Sequence, residues 1–391
     1  MLNTSFSPWP SFTEEEANAV RDVVLSNKVN YWTGQECRQF EQEFAAWAGT
    51  AHAVALANGT VALDLALNAL GIGEGDEVVV TPRTFLASVS SIVNAGAVPV
   101  FAEVDRDSQN ITAETIRAVL SPRTRAVICV HLAGWPCDMD PIMELAVEHD
   151  LKIIEDCAQA HGATYKGRSV GSIGHVGAWS FCQDKIMTTG GEGGMVTTND
   201  RELWAKMWAF KDHGKSWEAV YQREHAPGFR WLHESFGTNW RMMEMQGVIG
   251  RIQLRRMPDW YKSRISNATT IWECAKSLKG LRVPVPAQDI GHAAYKCYVF
   301  VEPGALRPEW TRDRILGAIA ERGVPCFSGS CSEVYLEKAF DGTNWRPEPP
   351  LRVARELGET SLMFLVHPTL SAVEIEKTCQ ALKDVMALAA A

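Results

Sequence analysis

The sequence predicts an α/β fold: a large domain on a mostly parallel sheet, followed by a smaller C-terminal α+β domain. Three observations support this. Short β-branched runs, EVVV (77–80), PVFAEV (99–104), AVICV (126–130), KIIEDC (152–157), VGAWSF (176–181) and GMVTT (194–198), recur through the first half of the chain. Helical stretches such as GTVALDLALNAL, TFLASVSSIVNAG, AETIRAVL and DPIMELAVEHD separate the earlier ones. Strands alternating with helices imply crossover units and a buried, parallel sheet. Finally, 391 residues exceed one small core and suit a large domain with a smaller companion.

Taken in order, SFTEEEANAVRDVVLSN opens with Thr13 and Glu16 at capping-box spacing, and Val20, Val23 and Val24 fall on one helical face. QECRQFEQEFAAWAG reads as a second amphipathic helix closed by Gly49. After the strand–helix alternation, MMEMQGVIGRIQLRRMPDWYKSRISNATTIWECAKSL reads as one or two long helices. CYVFVEP (297–303), TRDRILGAIAERGV and a closing helix SAVEIEKTCQALKDVMALA come after it, the last with Ser371 and Glu374 at capping-box spacing. The expected division is a large domain over 1–260, with its N-terminal helical segment, and a small domain over 261–391.

Composition excludes several classes. Hydrophobic content of 46% with 22% charged residues describes an ordinary soluble globular protein. A net charge of −9 argues against a nucleic-acid binder, although phosphorylated small molecules stay open. MLNTSFSPWPSF lacks a basic segment followed by an apolar run, so no secretory signal is expected. No apolar run reaches the roughly 18 residues of a membrane span, and a cytoplasmic protein is expected. The ten cysteines are scattered singles, Cys326 and Cys331 being the closest pair. They read as reduced thiols, and zinc is not expected.

In open parallel sheets, ligands bind beyond the carboxyl ends of the strands. After KIIED come Asp156, Gln159 and His161; after VGAWSF come Ser180 and Lys185. Gly59 and Thr60 stand at a helix N-terminus, where free backbone N–H groups and the helix dipole suit a phosphate. An anion seat, a carboxylate and a lysine at strand ends fit pyridoxal phosphate. Gly59, Thr60 and Ser180 would take its phosphate, Lys185 its aldehyde and Asp156 its ring nitrogen, with Phe85 as a stacking face. Each piece also has an ordinary reading. NGT is a common turn and cap, an aspartate after a strand is often a turn residue, and Phe85 shares a helical face with Val89 and Ile92 as core. His161 and His213 are expected to satisfy local hydrogen bonds.

From about residue 8 to the end, the chain resembles the DegT/StrS-type pyridoxal-phosphate aminotransferases that act on nucleotide-linked keto sugars. The landmarks run in order: WTGQECRQFEQEFAAWAG, ALANGTVALDLAL, TPRTFLAS, PVFAEVD, IIEDCAQAHGA, WSFCQDKIMTTGGEGGMVTTND, FKDHGK, GTNWRMMEMQGVIGRIQL and SLMFLVHPTL. The resemblance implies an aspartate-aminotransferase-type large domain with Lys185 holding the cofactor as internal aldimine and then acting as general acid–base. It implies Asp156 at the pyridinium nitrogen, Gln159 near the ring hydroxyl, and Gly59, Thr60 and Ser180 at the phosphate. Phe85 would stack on the ring, and Asn239 would reach the phosphate from a neighbouring subunit, so a homodimer is expected. A related sugar 3-dehydratase branch carries histidine at the lysine position; Lys185 therefore implies transamination. A free lysine is protonated at neutral pH, with a pKa of about 10.4, and bonding to the cofactor conceals that amine. The cluster Gly190, Gly191, Gly193 and Gly194 would let the backbone turn tightly behind it.

SFCQDK and HAAYKCYVF (292–300) depart from the commoner relatives, which places Tyr295 and Lys296 where sugar or nucleotide would lie. The aromatic segment 217–236 is either a lid over the nucleotide or a packed surface excursion. The expected reaction takes an amino group from an amino acid, L-glutamate first, through the pyridoxal and pyridoxamine forms of the cofactor. It delivers that group to a keto carbon, C4 ahead of C3, of a nucleoside-diphosphate deoxy sugar destined for a polysaccharide or glycan. The rivals are an aminotransferase of non-nucleotide keto-cyclitols and a non-catalytic cofactor-binding regulatory protein.

Overall fold

A computed structural model describes residues 6–391. The helices are α1 (Glu14–Leu25), α2 (Glu36–Ala48), α3 (Gly59–Ala69), α4 (Ala87–Asn94), α5 (Ala113–Arg117), α6 (Met139–Glu148), α7 (Arg201–Phe210), α8 (Trp217–Tyr221), α9 (Glu244–Lys276), α10 (Arg312–Glu321), α11 (Arg352–Thr360) and α12 (Ala372–Ala389). The strands of the first half are β1 (His52–Leu56), β2 (Glu77–Val80), β3 (Val98–Phe101), β4 (Thr124–Val130), β5 (Lys152–Asp156), β6 (Thr164–Tyr165), β7 (Arg168–Ser169), β8 (Val176–Ser180) and β9 (Gly194–Thr198). Those of the second half are β10 (Leu281–Arg282), β11 (Ile290–Gly291), β12 (Cys297–Val301), β13 (Cys326–Phe327) and β14 (Ser361–Phe364).

The central sheet has seven strands in the order β1-β9-β8-β5-β4-β2-β3. The five strands from β8 to β3 are parallel, while β9 runs antiparallel to both β8 and β1. Every run expected to be a strand is one, although PVFAEV pairs only as far as Phe101. Pro99 is tolerated because β3 is an edge strand, where a missing N–H leaves no ladder bond unmade. β1 is an addition to the expected set.

The capping boxes form as read. Thr13 donates through its backbone N–H (2.7 Å) and hydroxyl (2.6 Å) to Glu16, and Ser371 pairs likewise with Glu374. The face expected of α1 differs. Val24 is exposed and Glu16 is buried, because α1 meets α9 through charge. Arg256 donates to Glu16 at 2.9 Å and Gln253 to the same carboxylate at 3.2 Å.

The long helical stretch is a single 33-residue helix, α9, which runs on through Pro258. The division expected at residue 260 falls inside it, with no linker. Leu254 and Met257 join the core of the large sheet, whereas Ala268, Ile271 and Ala275 join a second core around the antiparallel sheet β10-β12-β14-β13. Tyr295, Tyr298 and Tyr335 come from beyond α9 yet pack into the first core, so the C-terminal portion helps to wall a cavity at the edge of the large sheet. Among the described residues no helix is long and apolar enough to cross a membrane.

Candidate active site

A cavity of about 860 Å³ opens beyond the carboxyl ends of β5 and β8, against the N-terminus of α3. Gly59, Thr60, Phe85, Asp156, Gln159, Ser180 and Lys185 all line it. Asn239 does not. It is exposed, in an isolated bridge with Asp212, away from the cavity of its own chain.

The anion seat arises from local geometry. Asn58 caps α3, its side chain accepting from the Val61 N–H at 3.0 Å. The N–H groups of Gly59 and Thr60, at the first helical positions, are left without intrahelical acceptors and carry the positive end of the helix dipole. A Cβ on Gly59 would stand 2.5 Å from the Ser180 Cβ and 3.0 Å from its Cα. Glycine is demanded here by close approach, so that the start of α3 closes on β8. The cluster after Lys185 divides in the same way. Gly190 and Gly191 take left-handed φ of 90° and 119°, whereas a side chain on Gly194 would collide with the Asn58 carbonyl.

Asp156 ends β5 and is buried. Its Oδ2 accepts from the Ser88 hydroxyl at 2.8 Å and its Oδ1 from the Ala158 N–H at 3.1 Å. The Thr84 and Ser88 hydroxyls lie 2.8 Å apart. Burial pushes the Asp156 carboxyl up, against the lowering effect of Ser88, so the site favours a cationic partner for it. Neither hydroxyl stands out in the sequence: Thr84 lies in the bend before α4, and it is that turn, not helical spacing, that brings it to Ser88.

Next to Asp156, Glu155 points into the protein. It accepts from the backbone N–H groups of Gly171 (2.8 Å), Ile173 (2.8 Å) and Gly174 (2.6 Å) and lies 3.0 Å from His131 Nε2. The Cys137 N–H donates to His131 Nδ1, which leaves the imidazole proton on Nε2, facing Glu155. Burial opposes the charge, yet the bond to His131 and the backbone donors hold the carboxyl below its usual range. His131, Glu155 and Cys157 offer ligand atoms within 4.8 Å of one another, but these internal bonds occupy Glu155.

Gln159 Oε1 accepts from the Ala133 N–H at 2.9 Å, which leaves its Nε2 as the free donor. Ala133 has a left-handed φ of 57°, and its carbonyl accepts from the Tyr295 N–H at 2.9 Å. Ala133 therefore orients Gln159 through its N–H and, through its carbonyl, docks the loop carrying Tyr295 and Lys296 onto the cavity wall. Lys185 Nζ stands 3.9 Å from Asp184 and 5.3 Å from the centroid of the Tyr295 ring, whose hydroxyl donates to Asp184. The Lys185 carbonyl accepts from the Trp9 indole at 2.8 Å. Asp184 is not foreseeable from the sequence, since nothing local marks it as a neighbour of Tyr295.

Phe85 is not core. It precedes α4 and is 71% exposed at the cavity, whereas Val89 and Ile92 are buried. His161 also departs from expectation. It is fully buried between Trp179 and Phe181, neither ring nitrogen has a hydrogen-bond partner among the described residues, and burial lowers its pKa to about 3. His213 has a left-handed φ of 58° and bonds through its backbone N–H to the Thr238 carbonyl at 2.9 Å. Segment 217–236 adds no residue to the cavity wall and exposes Phe229, Trp231 and Phe236.

A seat that a Cβ would fill, a buried carboxylate in need of a cation and a lysine amine at one cavity fit pyridoxal phosphate. The sequence profile of the DegT/DnrJ/EryC1/StrS aminotransferase family matches residues 10–383. The chain is 36% identical over 374 residues to the GDP-perosamine synthase of Caulobacter vibrioides, covering 94% of this chain and 95% of that protein. It is 34% identical over 373 residues to the dTDP-3-amino-3,4,6-trideoxy-alpha-D-glucose transaminase of Streptomyces venezuelae, covering 95% and 93%. The X-ray structure of the aminotransferase from Psychrobacter cryohalolentis superposes with a TM-score of 0.96 at 67% identity, over 98% of this chain and 99% of that one.

Proposed function

The chain belongs to the DegT/DnrJ/EryC1/StrS aminotransferase family, and on that premise we propose that it moves an amino group from L-glutamate to a keto group on a nucleoside-diphosphate deoxy sugar. The observation that carries this reading is the convergence on one cavity of the α3 N-terminus, Asp156 and Lys185. C4 is the proposed carbon. The 3-amino product in the name of the Streptomyces venezuelae relative favours C3 as the second reading.

When bound, pyridoxal phosphate supplies the electron sink that stabilises charge on the carbon bearing the amine. The Gly59 and Thr60 N–H groups and the Ser180 hydroxyl would hold its phosphate. Asp156, fixed by Ser88 and the Ala158 N–H, would keep a proton on the ring nitrogen. Gln159 Nε2 would donate towards the ring hydroxyl, and Phe85 offers the stacking face. Lys185 Nζ would carry the proton in each half of the reaction, with Asp184 and Tyr295 setting where the amine stands. Asn239 is proposed to serve the cavity of a second copy in a homodimer; its exposure away from its own cavity supports this.

The test is the absorption spectrum of the purified protein with and without L-glutamate, beside Lys185→Ala. A visible band that glutamate converts to a near-ultraviolet one, missing in the variant, is expected. A protein that shows no such band even after pyridoxal phosphate is added would refute the reading. Supplying 4-keto and 3-keto nucleotide sugars to the aminated form then decides between C4 and C3.

A further inference from the structure

Behind Tyr295 lies a second cavity of about 440 Å³, walled among others by Trp9, Asp184, Arg264, Tyr295, Lys296 and His367. Asp184, Tyr295 and Lys296 belong to both cavities, so they form the partition between them. Arg264 projects from α9 and is only 1% exposed. Its Nε and Nη2 find no hydrogen-bond partner, and no carboxylate pairs with it, among the described residues. The Trp9 ring lies over it, 5.0 Å from the guanidinium carbon. Burial lowers its pKa to about 9. A guanidinium withdrawn from water without acceptors is costly, and folded proteins rarely keep one unless something else supplies them.

The two orphaned atoms carry a geometric message. Nε and Nη2 direct their N–H groups from the same edge of the guanidinium plane, the edge that grips a planar carboxylate through two parallel bonds. Lys296 adds a second cation, 4.6 Å from the Tyr295 ring centroid. Asp184 is already engaged by the Tyr295 hydroxyl and by Lys185 at 3.9 Å. His367, bonded at 2.8 Å to the Thr369 hydroxyl, stays neutral because burial lowers its pKa to about 3.

We propose that this cavity is a carboxylate seat, in which Arg264 holds a carboxylate through Nε and Nη2 beside Lys296 while the rest of the same ligand reaches Lys185 through the partition. The proposal rests on the aminotransferase function and deepens it. A carboxylate here has two sources, the amino-acid donor and an acid group on the sugar.

Calorimetric titration of the cofactor-loaded protein tests it. Glutarate, a dicarboxylate without an amine, probes the donor source; UDP-glucuronate against UDP-glucose probes the sugar source. At least one carboxylate probe is expected to bind at least about tenfold more weakly to Arg264→Met and to Lys296→Met, the effect of losing a charge-assisted bond. Inorganic phosphate is expected to bind more weakly than that probe. A glutarate effect assigns the seat to the donor; loss of the preference for UDP-glucuronate assigns it to the sugar. No change in either arm, or phosphate binding as tightly as the carboxylate, overturns the proposal. If Arg264→Met does not fold, Lys296→Met in the partition decides. The reading of the main site fails separately: a wild-type protein whose spectrum ignores L-glutamate, yet whose glutarate binding depends on Arg264, keeps the seat and loses the donor.

Discussion

Replacing Gly59 with alanine sets helix propensity against packing. Alanine is better than glycine in a helix by about 1 kcal/mol, so propensity alone predicts a stabilised α3. The structure predicts the opposite. The new methyl would stand 2.5 Å from the Ser180 Cβ and 3.0 Å from a backbone atom, its Cα, and neither belongs to a flexible side chain that swings away. Relief requires α3 to withdraw from β8, and overpacking of this kind costs about 1–3 kcal/mol. Net destabilisation of the cofactor-free protein by up to about 2 kcal/mol is expected, in place of the gain of about 1 kcal/mol that propensity alone predicts. Withdrawal would also move the Gly59 and Thr60 N–H groups from the position proposed for the phosphate. Losing one such charge-assisted bond is worth about 1.5–3 kcal/mol, or ten- to a hundredfold in affinity. Denaturant unfolding of the cofactor-free protein and titration with pyridoxal phosphate read the two effects. Gly317→Ala is the control: it lies within α10, nothing stands within 4 Å of its Cβ position, and it is expected to stabilise by about 0.5–1 kcal/mol. Wild-type cofactor affinity in Gly59→Ala would show that the close contact does not shape the seat.

Further outcomes are expected elsewhere in the site. Removing the Ser88 hydroxyl (Ser88→Ala) takes the 2.8 Å donor from Asp156 and should weaken cofactor binding about tenfold, as spectroscopic titration would show. Burial raises the Asp156 carboxyl, so its favourable contribution to folding is present below the ordinary aspartate range and lost as pH rises through the folded value. Asp156→Asn should therefore unfold at higher denaturant than wild type at neutral pH when both are cofactor-free, while transamination collapses; equal or lower stability would contradict this. For Glu155 the sign reverses: its carboxyl is held low, its contribution is present above the ordinary glutamate range and lost as pH falls through the folded value, and Glu155→Gln should cost about 2–4 kcal/mol in denaturant unfolding at neutral pH. A shared site predicts complementation: inactive Lys185→Ala and impaired Asn239→Ala proteins, unfolded and refolded together, should recover activity through hybrid dimers, and no recovery would argue that each chain completes its own site.

Much of this protein is legible in the sequence because its signals are local. β-branched runs bounded by helices became the parallel strands, and Thr13–Glu16 and Ser371–Glu374 became capping boxes, since each rests on neighbours within a turn. Lys185, Asp156, Gln159 and Ser180 could be named because a parallel sheet gathers the residues at its strands' carboxyl ends along one edge. β1 was missed: HAVAL is short and alanine-rich, and it is a strand because β9 pairs with it from 138 or more positions away. The ordinary reading of Phe85 as core fails because spacing on a helix cannot say that the helix begins two residues later.

Periodicity and chain order alone were enough for the layer architecture; they offered the start of α3 and Lys185 as candidates, which the family resemblance then singled out. Packing in three dimensions was needed to show that Ser88 steadies Asp156, that Asp184 meets Tyr295 across 111 positions, and that Arg264 lies buried with its Nε and Nη2 lacking acceptors among the described residues, in the cavity it shares with Lys296. In the sequence Arg264 is one of several cations on a long, mixed helix, and nothing separates it from those that face water. Burial and hydrogen-bond satisfaction are properties of the surroundings, and the surroundings of α9 are assembled from the N-terminal segment, the cavity partition and the core around the antiparallel sheet β10-β12-β14-β13.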